Sequence, residues 1–115
     1  MPREVRMVTA RPVDFETVVR AASAIDTSLA VRAIANGQAI QLVAQDDETI
    51  ATVEGSRRID SPADVARIAP GFGQVEPGEY WSEGWAPWTP GGERGAAILV
   101  AIAAALDGRT QRSDA

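Results

Sequence analysis

All three tryptophans of this chain, Trp81, Trp85 and Trp88, fall in the stretch EYWSEGWAPWTPGGERG, residues 79–95, beside the only tyrosine, Tyr80. Read as a strand, YWSEGWA puts Trp81, Glu83 and Trp85 on one face and Tyr80, Ser82, Gly84 and Ala86 on the other. Tryptophan, tyrosine and arginine supply most of the energy at binding hot spots. The chemistry on offer is therefore contact, with Tyr80, Trp81, Glu83, Trp85, Trp88 and Arg94 as the candidate residues. A proline-stiffened segment also loses little freedom when it binds.

The same rings have a second use. A core rich in valine and alanine leaves space that large rings fill, so Trp81 and Trp85 are expected to pack over the sheet or the last helix. Trp88, between Pro87 and Pro90, is expected to be the least buried. Carboxylates surround the rings at Glu76, Glu79, Glu83 and Glu93. Sugars stack on indoles, and two carboxyls at a fixed separation hydrolyse glycosides. That reaction needs an acid with a raised pKa, which nothing in the pattern supplies. A small-ligand or carbohydrate binder, or a minor enzyme, using a Trp/Glu pocket over residues 79–94 is the alternative reading.

Three other motifs carry charged or glycine-rich chemistry. Asp46-Asp47-Glu48 lacks the alternating ligands and the glycine of a calcium loop and reads as a solvated turn. GGERG before a helix resembles an anion cradle, but the glycine spacing of phosphate loops is missing and no lysine follows. Arg57-Arg58 could meet a partner carboxylate; otherwise the pair serves to keep a strand edge soluble.

Composition closes off much of the rest. With no cysteine there is no disulfide, thiolate metal site or thiol nucleophile. With no histidine the usual neutral-pH acid–base group is missing. All eleven basic residues are arginine, so lysine chemistry is absent too. Lysine-free composition rich in Ala, Gly, Val and Arg suits a GC-rich genome, and a bacterial source is expected. The net charge of −5 gives no basic footprint for nucleic acid or for an anionic membrane. The longest apolar run, AAILVAIAAAL (residues 96–106), is shorter than the roughly 20 residues a bilayer span needs. No signal-peptide pattern opens the chain, so a cytoplasmic location is expected.

These residues need elements to hold them. EVRMVTA, residues 4–10, alternates as a strand. Asp14 caps a helix over about 14–25 whose stripe is Phe15, Val18, Val19, Ala22 and Ile25. Residues 28–36 read as a strand or as a short helix; the strand is preferred, because an Asn36-Gly37 turn and the matching period of QAIQLVAQ follow. ETIATVEG returns, and the strand can continue through SRRI. Ser61, Pro62 and Asp64 form a helix start with a capping box, and Val65, Ile68 and Ala69 form its apolar stripe. A last helix over about 92–107 stops at Gly108, and residues 109–115 read as a disordered tail.

ATVEGSRRIDSPADVARI is similar to the strand–turn–helix passage of flavin- or deazaflavin-binding split-barrel proteins. The likeness covers less than a fifth of the chain. The long first helix and the terminal apolar helix depart from that family, so no cofactor or site residue is carried over.

The expectation is one domain over residues 1–108, of the α+β class. It has a single layer of mostly antiparallel sheet, about four to five strands, with two to three helices on one face. The functional expectation is a non-enzymatic acidic interaction protein, an inhibitor or immunity-type protein for a basic partner, with no cofactor and no metal. Self-association through the apolar last helix is a third reading.

Overall fold

A computed structural model describes residues 2–113. Among the described residues the chain runs β1 (Arg3–Thr9), α1 (Phe15–Ile25), β2 (Ala30–Ile34), β3 (Ala39–Val43), β4 (Thr49–Glu54), β5 (Arg57–Arg58), α2 (Pro62–Ile68), β6 (Tyr80–Ala86), α3 (Pro90–Ala105) and β7 (Arg109–Ser113). The fold is α+β, built on one seven-stranded antiparallel sheet.

The strands lie in the order β2-β3-β4-β6-β1-β7, with β5 beside β6. Of the seven strands, β5 is the expected continuation through SRRI, and β7 escapes the sequence pattern. β5 continues β4 after an irregular step at Gly55-Ser56, so ETIATVEG and SRR make one interrupted run along β6. β7 occupies Arg109–Ser113, which corrects the expected tail: those residues pair with β1 from Glu4↔Ser113 to Val8↔Arg109. Residues 114 and 115 of that expectation lie outside the described residues. The polar RTQRS lacks apolar alternation because it is an edge strand with one paired side.

The local signals that hold are mostly caps. Asp14 Oδ1 accepts the Thr17 amide at 2.7 Å and starts α1 as expected. Val18, Ala21 and Ala22 are buried on α1, while Phe15 and Ile25 at the stripe's ends remain exposed. α2 starts at Pro62, but the Ser61 side chain makes no capping bond, and Asp64 pairs with Arg67 instead of closing a box. α3 starts two residues before the expected position. Thr89 caps it by accepting the Gly92 amide at 3.0 Å, and Pro90 takes the first turn. Residues 30–34 are a strand, and Ala35–Gly37 turn with positive φ throughout.

α1 and α3 cover one face of the sheet. Their Val18, Ile98, Leu99 and Ile102 meet Val5, Met7, Leu42, Ala51 and Val53 in the main core. α3 reaches the strands very closely: a Cβ on Gly95 would lie 1.9 Å from the Ile50 carbonyl oxygen. Ile98, Leu99 and Ile102 of α3 are thus buried inside the chain, whereas Val100 is half-buried and Ala97, Ala104 and Ala105 are exposed. α2 packs on the opposite face, which corrects the expectation of helices on one side only. There Val8, Ile59, Val65, Ala69, Phe72 and Val75 form a smaller second core, with Trp81 against it. α2 is short, so much of this second face stays uncovered.

Candidate functional site

β6 decides which residues reach the uncovered face. Its small residues, Ser82, Gly84 and Ala86, are buried, and the alternate positions Trp81, Glu83 and Trp85 are partly exposed. The reason is spacing rather than hydrophobicity. α3 presses so near that a Cβ at Gly84 would lie 2.9 Å from Leu99 Cδ1. No indole fits under that helix, so both rings are forced to the far face. Of the two expected packings, over the sheet or over the last helix, the second does not occur. Trp81 instead anchors in the second core, edge-on to Phe72 with ring centroids 5.8 Å apart.

The trio Trp81, Glu83 and Trp85 therefore comes together as the alternation predicted. The Trp81 indole N–H donates to Glu83 Oε1 at 3.2 Å, which fixes the carboxylate beside the ring. Trp85 stands mid-face between Glu4 of β1 and Thr52 of β4. The register extends that row through Gln41 to Arg32 at the other edge. Arg32 donates to Gln41 Oε1 at 2.9 Å, and Arg6 is bonded to Glu4 at 2.6 Å. These polar neighbours hold one another and leave the indole of Trp85 flanked but not roofed.

The other candidates part company. Tyr80 lies at the start of β6 on the opposite face, in register with Thr9 and Arg58. Arg94 points from α3 to Asp26 at 3.4 Å and ties that helix to the end of α1. Hydrogen bonds from the Ser28 hydroxyl and amide, and then the charge of Arg94, hold the Asp26 carboxyl below its ordinary value. Trp88 lies beyond the strand end and is 47% exposed, as expected of the least buried ring. The Arg3 guanidinium sits 4.5 Å from its ring centroid.

Sequence reasoning missed a groove beside Trp81. It measures about 410 Å³ and runs between α2 and the β5–β6 pair. Trp81, Val65 and Ile68 form its apolar walls; Arg57, Asp60, Ser61, Asp64 and Glu83 bring polar groups. Ile68 belongs to the expected apolar stripe of α2, yet it is 53% exposed at this groove. The signal was incomplete rather than absent. Arg57-Arg58 was visible as a charged pair, but only strand register reveals that Arg57 stands opposite Trp81. Among the described residues Asp46, Asp47 and Glu48 join no cluster able to hold a metal ion. No helix there is long and apolar enough to cross a membrane. Comparison with protein-family models, with curated proteins and with solved structures finds no match for this chain.

Proposed function

We propose that this chain is a non-enzymatic binding protein whose contact surface is the uncovered sheet face around Trp81, Glu83 and Trp85. The observation that carries this reading is the placement of two indoles and a carboxylate on one open face, forced there by the close approach of α3. Rings in such a position bury large area at small entropic cost when a partner arrives. The partner class suited to a chain of net charge −5 is a basic protein, neutralised in the manner of an inhibitor or immunity protein.

The test uses the tryptophans themselves. All tryptophan emission comes from positions 81, 85 and 88. Acrylamide is expected to quench a substantial part of it in the isolated protein; uniform strong protection overturns the open-face reading. Partner binding is expected to weaken with salt and to be lost in Trp85→Ala. Salt-insensitive binding removes the basic-partner assignment while leaving the face. Light scattering at twice the chain mass, abolished by Trp85→Ala, assigns the face to self-association instead.

A second reading has its own support. The groove beside Trp81 has the size of a small-molecule site, where pockets run from about 300 to 1,000 Å³. A small ligand there is the alternative to a protein partner.

A further inference from the structure

Arg57, Arg58, Asp60, Asp64 and Glu83 all line the groove, and no ion pair joins either of these arginines to any of these carboxylates. Among the described residues Arg57 is in no ion pair or side-chain hydrogen bond, unlike Arg3, Arg6, Arg11, Arg20, Arg67, Arg94 and Arg109. Glu83 has one neutral donor, the Trp81 indole, and no arginine. Arg6 stands opposite Glu83 in the β1–β6 register, yet its guanidinium is committed to Glu4 and to the Ile68 carbonyl.

Their placement is fixed by the strands. Arg57 pairs with Trp81 across β5–β6, and cross-strand partners share a face. Glu83 lies two residues along β6 and so shares it too. Arg57 and Glu83 are diagonal neighbours, roughly 7–8 Å apart in such a lattice and somewhat less between Cβ atoms. Both line the 410 Å³ groove, and both line a smaller polar recess of about 110 Å³ at the Gly55 step. An opposite pair in contact would neutralise itself. Side by side on one wall without pairing, an exposed cation and a half-buried anion face one space, next to Trp81, Val65 and Ile68.

We infer that the groove binds a small zwitterion with an apolar side chain, of the α-amino acid class. The ligand carboxylate meets the planar fork of Arg57. Its ammonium meets Glu83, which the Trp81 N–H already orients. Its side chain lies on the Trp81 ring and the exposed Ile68. A simple anion on Arg57 would leave Glu83 without a cationic partner, and a simple cation on Glu83 would leave Arg57 without an anionic one. The inference rests on the small-ligand reading of this groove and specifies its chemistry.

The experiment is calorimetric titration with L-leucine, glycine, leucinamide, N-acetylleucine and a neutral disaccharide. Leucine is expected to bind best, and glycine more weakly for want of the apolar contact. Arg57→Gln is expected to weaken leucine by about tenfold while leaving leucinamide unchanged. Glu83→Gln keeps an acceptor for the indole and is expected to weaken leucine by a similar factor while leaving N-acetylleucine unchanged. If the disaccharide or a blocked derivative binds as well as leucine, the zwitterion assignment is overturned and the small-ligand reading survives. If none of the five binds, both fall.

Discussion

The Arg3 guanidinium stacks on the Trp88 ring, 4.5 Å from its centroid, while the same side chain bonds the loop that carries the ring. Its Nη1 donates to the Pro87 carbonyl at 2.5 Å and to the Thr89 carbonyl at 3.2 Å, and its Nε lies 3.2 Å from Glu93. The side chain is only 11% exposed. One residue of β1 thereby fixes the passage from β6 into α3. Arg3→Met keeps the aliphatic stem and removes the donors, each worth about 1.5–3 kcal/mol for a charged group. A loss of about 2–3 kcal/mol in urea unfolding is expected, with increased acrylamide quenching as Trp88 is released.

Gly95 is the point where α3 lies against the strand backbone. A methyl group there collides with the Ile50 carbonyl, which is backbone and has little room to yield. Gly95→Ala improves intrinsic helix propensity by up to about 1 kcal/mol, yet the collision outweighs that gain. Destabilisation of more than about 3 kcal/mol, or failure to fold, is expected. Ala97 is exposed on the same helix, and Ala97→Ser should leave the unfolding midpoint nearly unchanged.

Trp81 and Trp85 separate stability from binding. Trp81 packs on Phe72 and the second core, so Trp81→Ala is expected to cost about 2–3 kcal/mol, below the range for a fully buried tryptophan. Trp85 has polar cross-strand neighbours and no such ring partner. Trp85→Ala should cost less than about 1 kcal/mol in thermal or urea unfolding while removing partner binding. Equal destabilisation by the two variants would contradict the division.

Acid should weaken the start of α1 first. Hydrogen bonds from the Thr17 hydroxyl and amide hold the Asp14 carboxyl below its ordinary value, and Arg20 and Arg11 add smaller pulls. A carboxyl lowered in the folded state contributes stability that is complete above its unfolded pKa. That contribution shrinks as pH falls through the usual carboxylate range and vanishes below the folded value. Asp14→Ala should therefore cost about 1 kcal/mol at pH 7 and progressively less from about pH 4 downward. Unfolding curves of the variant and parent at both pH values check this.

Removing residues 109–115 distinguishes a tail from a strand. Loss of β7 leaves β1 with one bare side, along which Val5, Met7 and Val8 lie. The truncated chain is expected to lose cooperative unfolding or to aggregate through the new edge. An unchanged unfolding midpoint would show that the β1–β7 pairing contributes nothing.

The features legible in the sequence are those written in short-range chemistry. Asp14 marked its helix to the residue, and the alternation of β6 placed Trp81, Glu83 and Trp85 together. Thr89-Pro90 carries the same start signal as Ser61-Pro62, but the following glycines masked it as a loose helix entry. The orientation of β6 could not be read from its own residues. Ring size argued for burial, whereas the close passage of α3 over Gly84 decided the matter, and that passage depends on residues distant in sequence. Arg57 and Glu83 likewise come onto one face only through the β5–β6 register.

The position of β1 in the sheet sets an order of events during synthesis. Its neighbours, β6 and β7, lie at residues 80–86 and 109–113, so the first strand made is the last to be flanked. β2, β3 and β4 pair locally and can form early, but Val5, Met7 and Val8 wait for the far end of the domain. Completion of the sheet is then governed by long-range closure, which is slow and leaves an apolar strand open to other chains in the interval. Until β6 is made, Val5, Met7 and Val8 have no strand beside them on either edge of β1, and one edge stays open until β7 follows.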